Sequence, residues 1–292
     1  MMVVLLGACS STQEMPDTHF MSGNQYNQCV SILKEALASE RIDVMLAGAH
    51  GLTDAQYHFE VRPMLQHWFG LELDDSERSG VAQAMAYVGD ELGLVTLQDI
   101  LLNPNSFSHV EAATATLLLG GLPDAGIVRL AADSSANERV RLYASGAMAV
   151  AGEDQYMDII RGALKSADPI IQITAIDVLA EAGEAADTLA IEAVNAPDSF
   201  PLDQLYRSRA LAILGDVDGR RSLRGLLQAP DPIVRARATF AIAEAWMPES
   251  GGMLLQLLTD EDPLVRARAA HALILLYYPS SPYRGRRMAI DS

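Results

Sequence analysis

The chain has 292 residues and a formal net charge of −17 at pH 7; half of its residues are apolar and only 6% are aromatic. The excess of 38 acidic over 21 basic side chains repels nucleic-acid phosphates at long range, so neither DNA nor RNA is an expected partner. No run of 18 apolar residues occurs, which excludes a membrane-crossing helix of ordinary length.

The first nine residues are apolar and end in small side chains: Leu5, Leu6, Gly7 and Ala8 lead into Cys9, followed by Ser10 and Ser11. Segment 1–9 resembles the signal region and lipobox of bacterial lipoproteins. That resemblance implies lipidation of Cys9 and a place on the periplasmic side of the outer membrane; the alternative is a cytoplasmic protein with an apolar leader. Residues 10–26 are polar, include Pro16 and Gly23, and read as a flexible tether. The other cysteine, Cys29, lies in a half-apolar helical stretch and reads as a buried, inert thiol.

From there on the chain repeats. Asp74, Asn105, Asn137, Asp168, Asp203, Asp231 and Asp262 form a column with a period of about 31 residues. Four positions after each lie Arg78, His109, Arg141, Gln172, Arg207, Arg235 and Arg266, and three further come Val81, Ala112, Ala144, Ala175, Ala210, Ala238 and Ala269. The acidic or amide residue is an N-cap, and Pro169, Pro232 and Pro263 take the first helical position that proline favours. Gly89, Gly120, Gly152 and Gly183 stand eleven residues after the column's basic or polar positions, where a left-handed residue ends the helix. First helices are predicted near 27–39, 56–70, 92–102, 124–132, 154–165, 184–195, 218–228 and 250–259. Second helices are predicted near 41–50, 75–88, 107–119, 137–150, 169–182, 203–214, 231–245 and 263–277. The fold expected is all-α, an open αα-superhelix of about eight helical hairpins over 27–278, followed by a basic tail at 279–292.

The recurring Asp-Pro-x-Val-Arg-x-x-Ala signature resembles HEAT repeats, in particular the short bacterial kind called PBS-lyase-like, over about residues 27–277. The resemblance implies that second helices line a concave face, first helices a convex one, and that the Asp and Arg columns form a ladder between adjacent units. A mutable column lies two residues past the arginines: Gly80, Glu111, Tyr143, Thr174, Arg209, Arg237 and Arg268. Fixed register with changing residue type marks a displayed surface. Arg209, Arg237 and Arg268, with Tyr143 and Trp246 as aromatic contacts, are therefore candidate partner-binding residues for a protein or acidic peptide. The competing reading is internal pairing, with Glu244, Asp260 and Glu261 available as acceptors.

Chemistry is poorly marked. His58 and Glu60 are two apart and do not share a helix face, so no metal site is expected. The paired His-Glu dipeptides of the di-iron HEAT hydroxylase are absent, as are a nucleophile elbow and a phosphate-binding glycine loop. The function expected is a non-catalytic scaffold, without cofactor, binding a protein through its concave face. The alternative is a ligand-handling or lyase-like accessory protein that binds a glycan or small molecule.

Overall fold

The computed structural model describes residues 21–103, 106–120, 124–194 and 201–277. Cys9, Asn105, most of the proposed tether and the basic tail lie outside the described residues. The described chain is an α-solenoid of eight helical hairpins. Its outer helices are α1 (Gly23–Leu37), α3 (His58–Phe69), α5 (Glu91–Leu102), α7 (Ala125–Ser134), α9 (Met157–Ala163), α11 (Thr188–Glu192), α13 (Val217–Leu226) and α15 (Gly251–Leu257). The inner helices are α2 (Ile42–Asp54), α4 (Asp75–Tyr87), α6 (His109–Leu118), α8 (Glu138–Val150), α10 (Pro169–Ala182), α12 (Pro201–Ile213), α14 (Pro232–Glu244) and α16 (Pro263–Tyr277). The numbering follows chain order.

Caps explain the boundaries. Asp74, Asn137, Asp168, Asp231 and Asp262 each accept a backbone N–H two or three residues on. Each such cap contributes about 1 kcal/mol. The first helix begins at Gly23, four residues before its predicted start, because Ser22 and Gln25 form a reciprocal capping box. Gly89, Gly120 and Gly152 end their helices with φ of 80°, 76° and 96°, and Gly215 does so with 95°. Gly183 departs from the expectation: its φ is −79° and ψ 173°, so it is extended. Glycine is needed there for space, since a Cβ would lie 2.5 Å from the Leu179 carbonyl oxygen.

The expected inter-unit ladder is replaced by something more local. Arg235, Arg266 and Arg141 donate to loop carbonyls at the start of their own inner helices, namely Ala229 and Pro230, Asp260 and Glu261, and Ser135. Gln172 reaches the Leu164 carbonyl in the same way. The column carboxylates named above are occupied as caps. Arg235 crosses to the next unit, but its acceptor is Asp260, two residues before the column, through paired bonds of 3.0 and 2.9 Å. Of these column carboxylates Asp262 also reaches another hairpin, accepting from Arg41 while it caps α16.

The larger departure from an open rod is closure. The last inner helix, α16, packs along both helices of the first hairpin, α1 and α2, as well as along α14. One buried cluster runs across this seam, joining Cys29, Leu33, Met45 and Leu52 to Leu273 and Ile274. A second small cluster seals its edge, with Ala36, Val44 and Ala47 against Ala267. Polar contacts also cross it: Arg41 reaches Asp262 at 3.3 Å, and Asp54 meets His271 at 2.6 Å. The solenoid is thus a ring, in which each end caps the other's apolar face. Among the described residues no helix is long and apolar enough to cross a membrane.

Gly51 sits where α1, α2 and α16 meet: a Cβ there would lie 2.6 Å from Leu33 Cδ2 and 3.2 Å from His271 Cβ. Gly51→Leu is expected to cost roughly 1–3 kcal/mol by overpacking. It should also enlarge the radius of gyration in small-angle X-ray scattering. An unchanged melting temperature and an unchanged radius would contradict the closed seam.

Candidate functional site

The eight inner helices converge on a central cavity with two adjoining lobes. The larger, about 240 Å³, is walled by Leu117, Leu118, Tyr143, Leu205, Tyr206 and Phe240, with Asp177, Glu181, Arg209, Arg237, Glu244 and Arg268 as its charged groups. The smaller, about 210 Å³, is lined by His50, Gln83, Tyr87, Leu119 and His271. Leu118, Phe240 and Arg268 belong to both. Every inner helix contributes a residue to one lobe or the other.

Three register positions of the repeat supply most of this lining. One is the column already noted, which brings Tyr143, Arg209, Arg237 and Arg268 inward. Three residues on come Gln83, Thr114, Asp177, Phe240 and His271; seven residues on come Tyr87, Leu118, Glu181 and Glu244. Spacings of three and seven keep these side chains on one helix face. Reading the sequence along those offsets is the signal that reveals Asp177, Glu181, His271 and Tyr87, which the first column alone leaves out. Asp54 carries no such mark, because the first hairpin lacks the Asp–Arg signature.

The predicted residues therefore fall into two groups. Arg209, Arg237, Arg268 and Tyr143 gather at the cavity. Trp246 does not; it follows α14 with φ of 44°, and its carbonyl accepts from Arg220 on the outer side. A non-glycine residue in the left-handed region marks the tight α14–α15 connection.

Arg209 is the centre of the charge network. Its Nε and Nη2 donate to the two carboxylate oxygens of Glu244 at 2.7 and 2.9 Å, and its Nη1 donates to Asp177 at 3.0 Å. Nη2 also donates to Glu181. Tyr143 Oη donates to the other oxygen of Asp177 at 2.9 Å. Internal pairing with Glu244 thus accounts for Arg209. Asp260, another of the three acceptors proposed from sequence, pairs with Arg235 instead. Burial raises the Glu181 carboxyl above its usual range; Arg209 opposes the shift, and the charges of Glu244 and Asp177 add to it. Burial and the Asp177 charge likewise push the Tyr143 hydroxyl up, so it stays a donor.

Arg237 is held by a 2.8 Å bond to Tyr206 Oη, and the Arg268 guanidinium lies 5.1 Å from the Phe240 ring centroid. In the smaller lobe Asp54 accepts from Tyr87 Oη at 2.7 Å and pairs with His271 Nε2. His271 is only 2% exposed and its Nδ1 has no hydrogen-bond partner. His50 packs edge-on to Tyr87 at 5.3 Å. Burial, then the charges of Arg268 and His271, depress its pKa to about 3, so it is neutral. Cys29 is fully buried and its thiol is pushed up to about 12 by that burial, so it is unreactive. Among the described residues no group of three or more His, Cys, Asp or Glu is placed to hold a metal ion.

Comparison with known proteins agrees with this architecture over part of the chain. A family profile described as HEAT repeats matches residues 221–282. The fold is a HEAT-like solenoid. Among solved structures, human deoxyhypusine hydroxylase in complex with glycerol is similar at 15% identity, covering 87% of this chain and 97% of that one with a TM-score of 0.40. Two engineered proteins are similar at 20% identity, each with a TM-score of 0.32; they cover 84% and 86% of this chain and 77% and 96% of their own. A search of curated proteins returned no match.

Two outcomes follow from the buried charges. Arg209→Met leaves three carboxylates facing each other and is expected to cost about 3–5 kcal/mol near neutral pH. Burial raises the Glu181 carboxyl, and loss of the guanidinium removes the group that opposes that shift. The Glu181 contribution is then full below its unfolded pKa and lost as pH rises, so the variant should recover toward wild type at low pH in urea melts. His50 has the opposite sign. Its pKa is depressed from 6.5 to about 3, so its contribution is present above 6.5 and lost as pH falls toward 3. Replacing His50 with Gln should flatten the loss of stability over that window; an identical pH profile for the two proteins would refute the burial of a neutral ring.

Proposed function

We propose that the protein is a ligand-handling solenoid that holds a small organic molecule in the cavity at the centre of its ring. The observation that carries this reading is the convergence of residues from all eight inner helices on one cavity with two adjoining lobes of about 240 and 210 Å³. Its wall is mostly apolar and aromatic, with a few fixed polar groups, which is the composition of small-molecule sites. HEAT-like solenoids are well suited to hold protein partners on a long concave face, but here that face closes upon itself. A cavity of this size admits a small molecule, not a folded surface. Arg209, whose side chain is 12% exposed, is committed to carboxylates of its own chain, which weighs against an acidic peptide as the occupant.

The same proposal assigns binding without turnover. In the larger lobe Asp177, Glu181 and Glu244 are paired with Arg209, and the neutral His50 packs edge-on to Tyr87. The run through Cys9 that resembles a lipobox supports a lipid-tethered ring at the outer membrane. The mass of the native N-terminal peptide tests that part independently.

Leu118→Trp fills the space shared by the two lobes. Wild-type protein is expected to be stabilised against heat by members of a library of small aromatic compounds, whereas Leu118→Trp should fold and lose those shifts. Equal shifts for both proteins would place binding elsewhere on the surface.

A further inference from the structure

The buried core of the ring is divided. One large cluster takes in α1 to α4 and α13 to α16 across the seam, and another takes in α6 to α11. The two meet at two places on the circumference. At α12 both are represented on one helix, with Leu205 and Ala212 in the first and Ala210 and Leu211 in the second. Arg209, on the same helix, bonds Glu244 of one arc and Asp177 and Glu181 of the other. At the second meeting place stands a separate cluster of four side chains: Ala82 of α4, Leu97 of α5, and Ala112 and Ala115 of α6. Half-buried Leu101 packs across the same boundary.

Close approaches show which arc each helix beside this boundary follows. α5 is seated on α4: a Cβ at Gly93 would lie 2.4 Å from the Ala82 carbonyl oxygen and 2.4 Å from the Ala86 nitrogen. α6 is seated on α8: a Cβ at Gly146 would lie 3.3 Å from both Leu117 methyl carbons. Between these two tight pairs, α4 and α6 touch less than any other two successive inner helices. The smaller lobe lies against the same boundary, lined by Gln83 and Tyr87 from α4 and by Leu118 and Leu119 from α6.

We propose that the ring opens between α6 and the α4–α5 pair while its two arcs stay joined at α12, and that this gap is the way into the cavity. The proposal rests on the cavity being the binding site and adds how that site is reached. Parting the gap uncovers a core of three alanines and one leucine. Parting the seam uncovers Leu33, Leu52, Leu273 and Ile274 and breaks the Arg41–Asp262 and Asp54–His271 contacts. The cost of opening follows the apolar area exposed, so the gap gives way first. Each helix keeps its own backbone hydrogen bonds as the arcs part. Leu118 of α6 lines both lobes, so a gap beside it opens onto the whole cavity.

Thiol labelling of the full chain reads the gap directly and needs no ligand. Ala82→Cys and Ala112→Cys place a thiol on either side of it. Ala270→Cys on α16 and Ala175→Cys in the second large cluster are the controls, and all four positions are fully buried. Each variant is treated with N-ethylmaleimide under native conditions and followed peptide by peptide by mass spectrometry, which keeps Cys9 and Cys29 apart from the added thiol. Labelling at 82 and 112 is expected to run at least about tenfold faster than at 175 and 270. The two gap variants are independent, so either one decides if the other fails to fold. Equal rates at all four positions, as global unfolding gives, or faster labelling at 270, overturn the gap whatever the cavity binds. A compound that raises the melting temperature of wild type but not of Leu118→Trp should slow labelling at 82 and 112 in proportion to its saturation. Undiminished labelling in its presence overturns the gap as the entrance and leaves the cavity as a site. Fast labelling at 82 and 112 with no such compound found supports the opening and counts against the cavity reading instead.

Discussion

The packing of α16 against α1 and α2 is the constraint on which the rest of the structure depends. In a helical-repeat protein each unit buries its apolar faces only against its neighbours, so an open stack leaves two ends that need polar capping. Here neither end is polar. Leu33 and Leu52 at one end and Leu273 and Ile274 at the other are buried in a single cluster. Eight units closed on themselves have as many interfaces as units, one more than an open stack. The extra interface also removes the conformational freedom of the ends. It further converts a concave surface into a bounded space, so the identity of the inward residues becomes a statement about a cavity rather than about a groove.

Within that space the buried charges are the most demanding feature. Burying a guanidinium and three carboxylates is unfavourable unless each is paired, and removing one member leaves the others stranded. The network ties α10, α12 and α14 together through Asp177, Glu181, Arg209 and Glu244, and through Tyr143 it engages α8. An apolar core could join these helices with less desolvation. The charged arrangement fixes their relative rotation, and it sets carboxylate oxygens at the wall of the cavity. The Tyr87–Asp54–His271 chain does the equivalent across the seam, joining α4, α2 and α16.

Much of this was legible in the chain itself. The N-caps and the prolines after them set the start of α10, α14 and α16, and Gly89, Gly120 and Gly152 set the ends of α4, α6 and α8, because both signals act within one turn. Local chemistry is enough for such features. Closure is not local: it accumulates from small rotations between eight units, each decided by which Ala, Val or Leu meets which, and a shift of a few degrees per unit separates a ring from an open superhelix. The same reason hid His271, whose partner Asp54 is 217 residues away. The arginine column was visible, yet the role of Arg209 depended on Asp177 and Glu181, which stand on the preceding inner helix. Those two become visible only once the helix face, three and seven residues beyond the column, is followed through successive units.

The charge of the whole molecule and the charge of the cavity act at different ranges. A net charge of −17 creates a field that concentrates cations near the surface and disperses anions, an effect that fades over the Debye length of about 8 Å at physiological salt. Inside the ring that field gives way to individual contacts, and the arginines that line the wall are engaged with Tyr206, Phe240 and the carboxylates. An anion is therefore dispersed on approach and then finds Arg209 already taken.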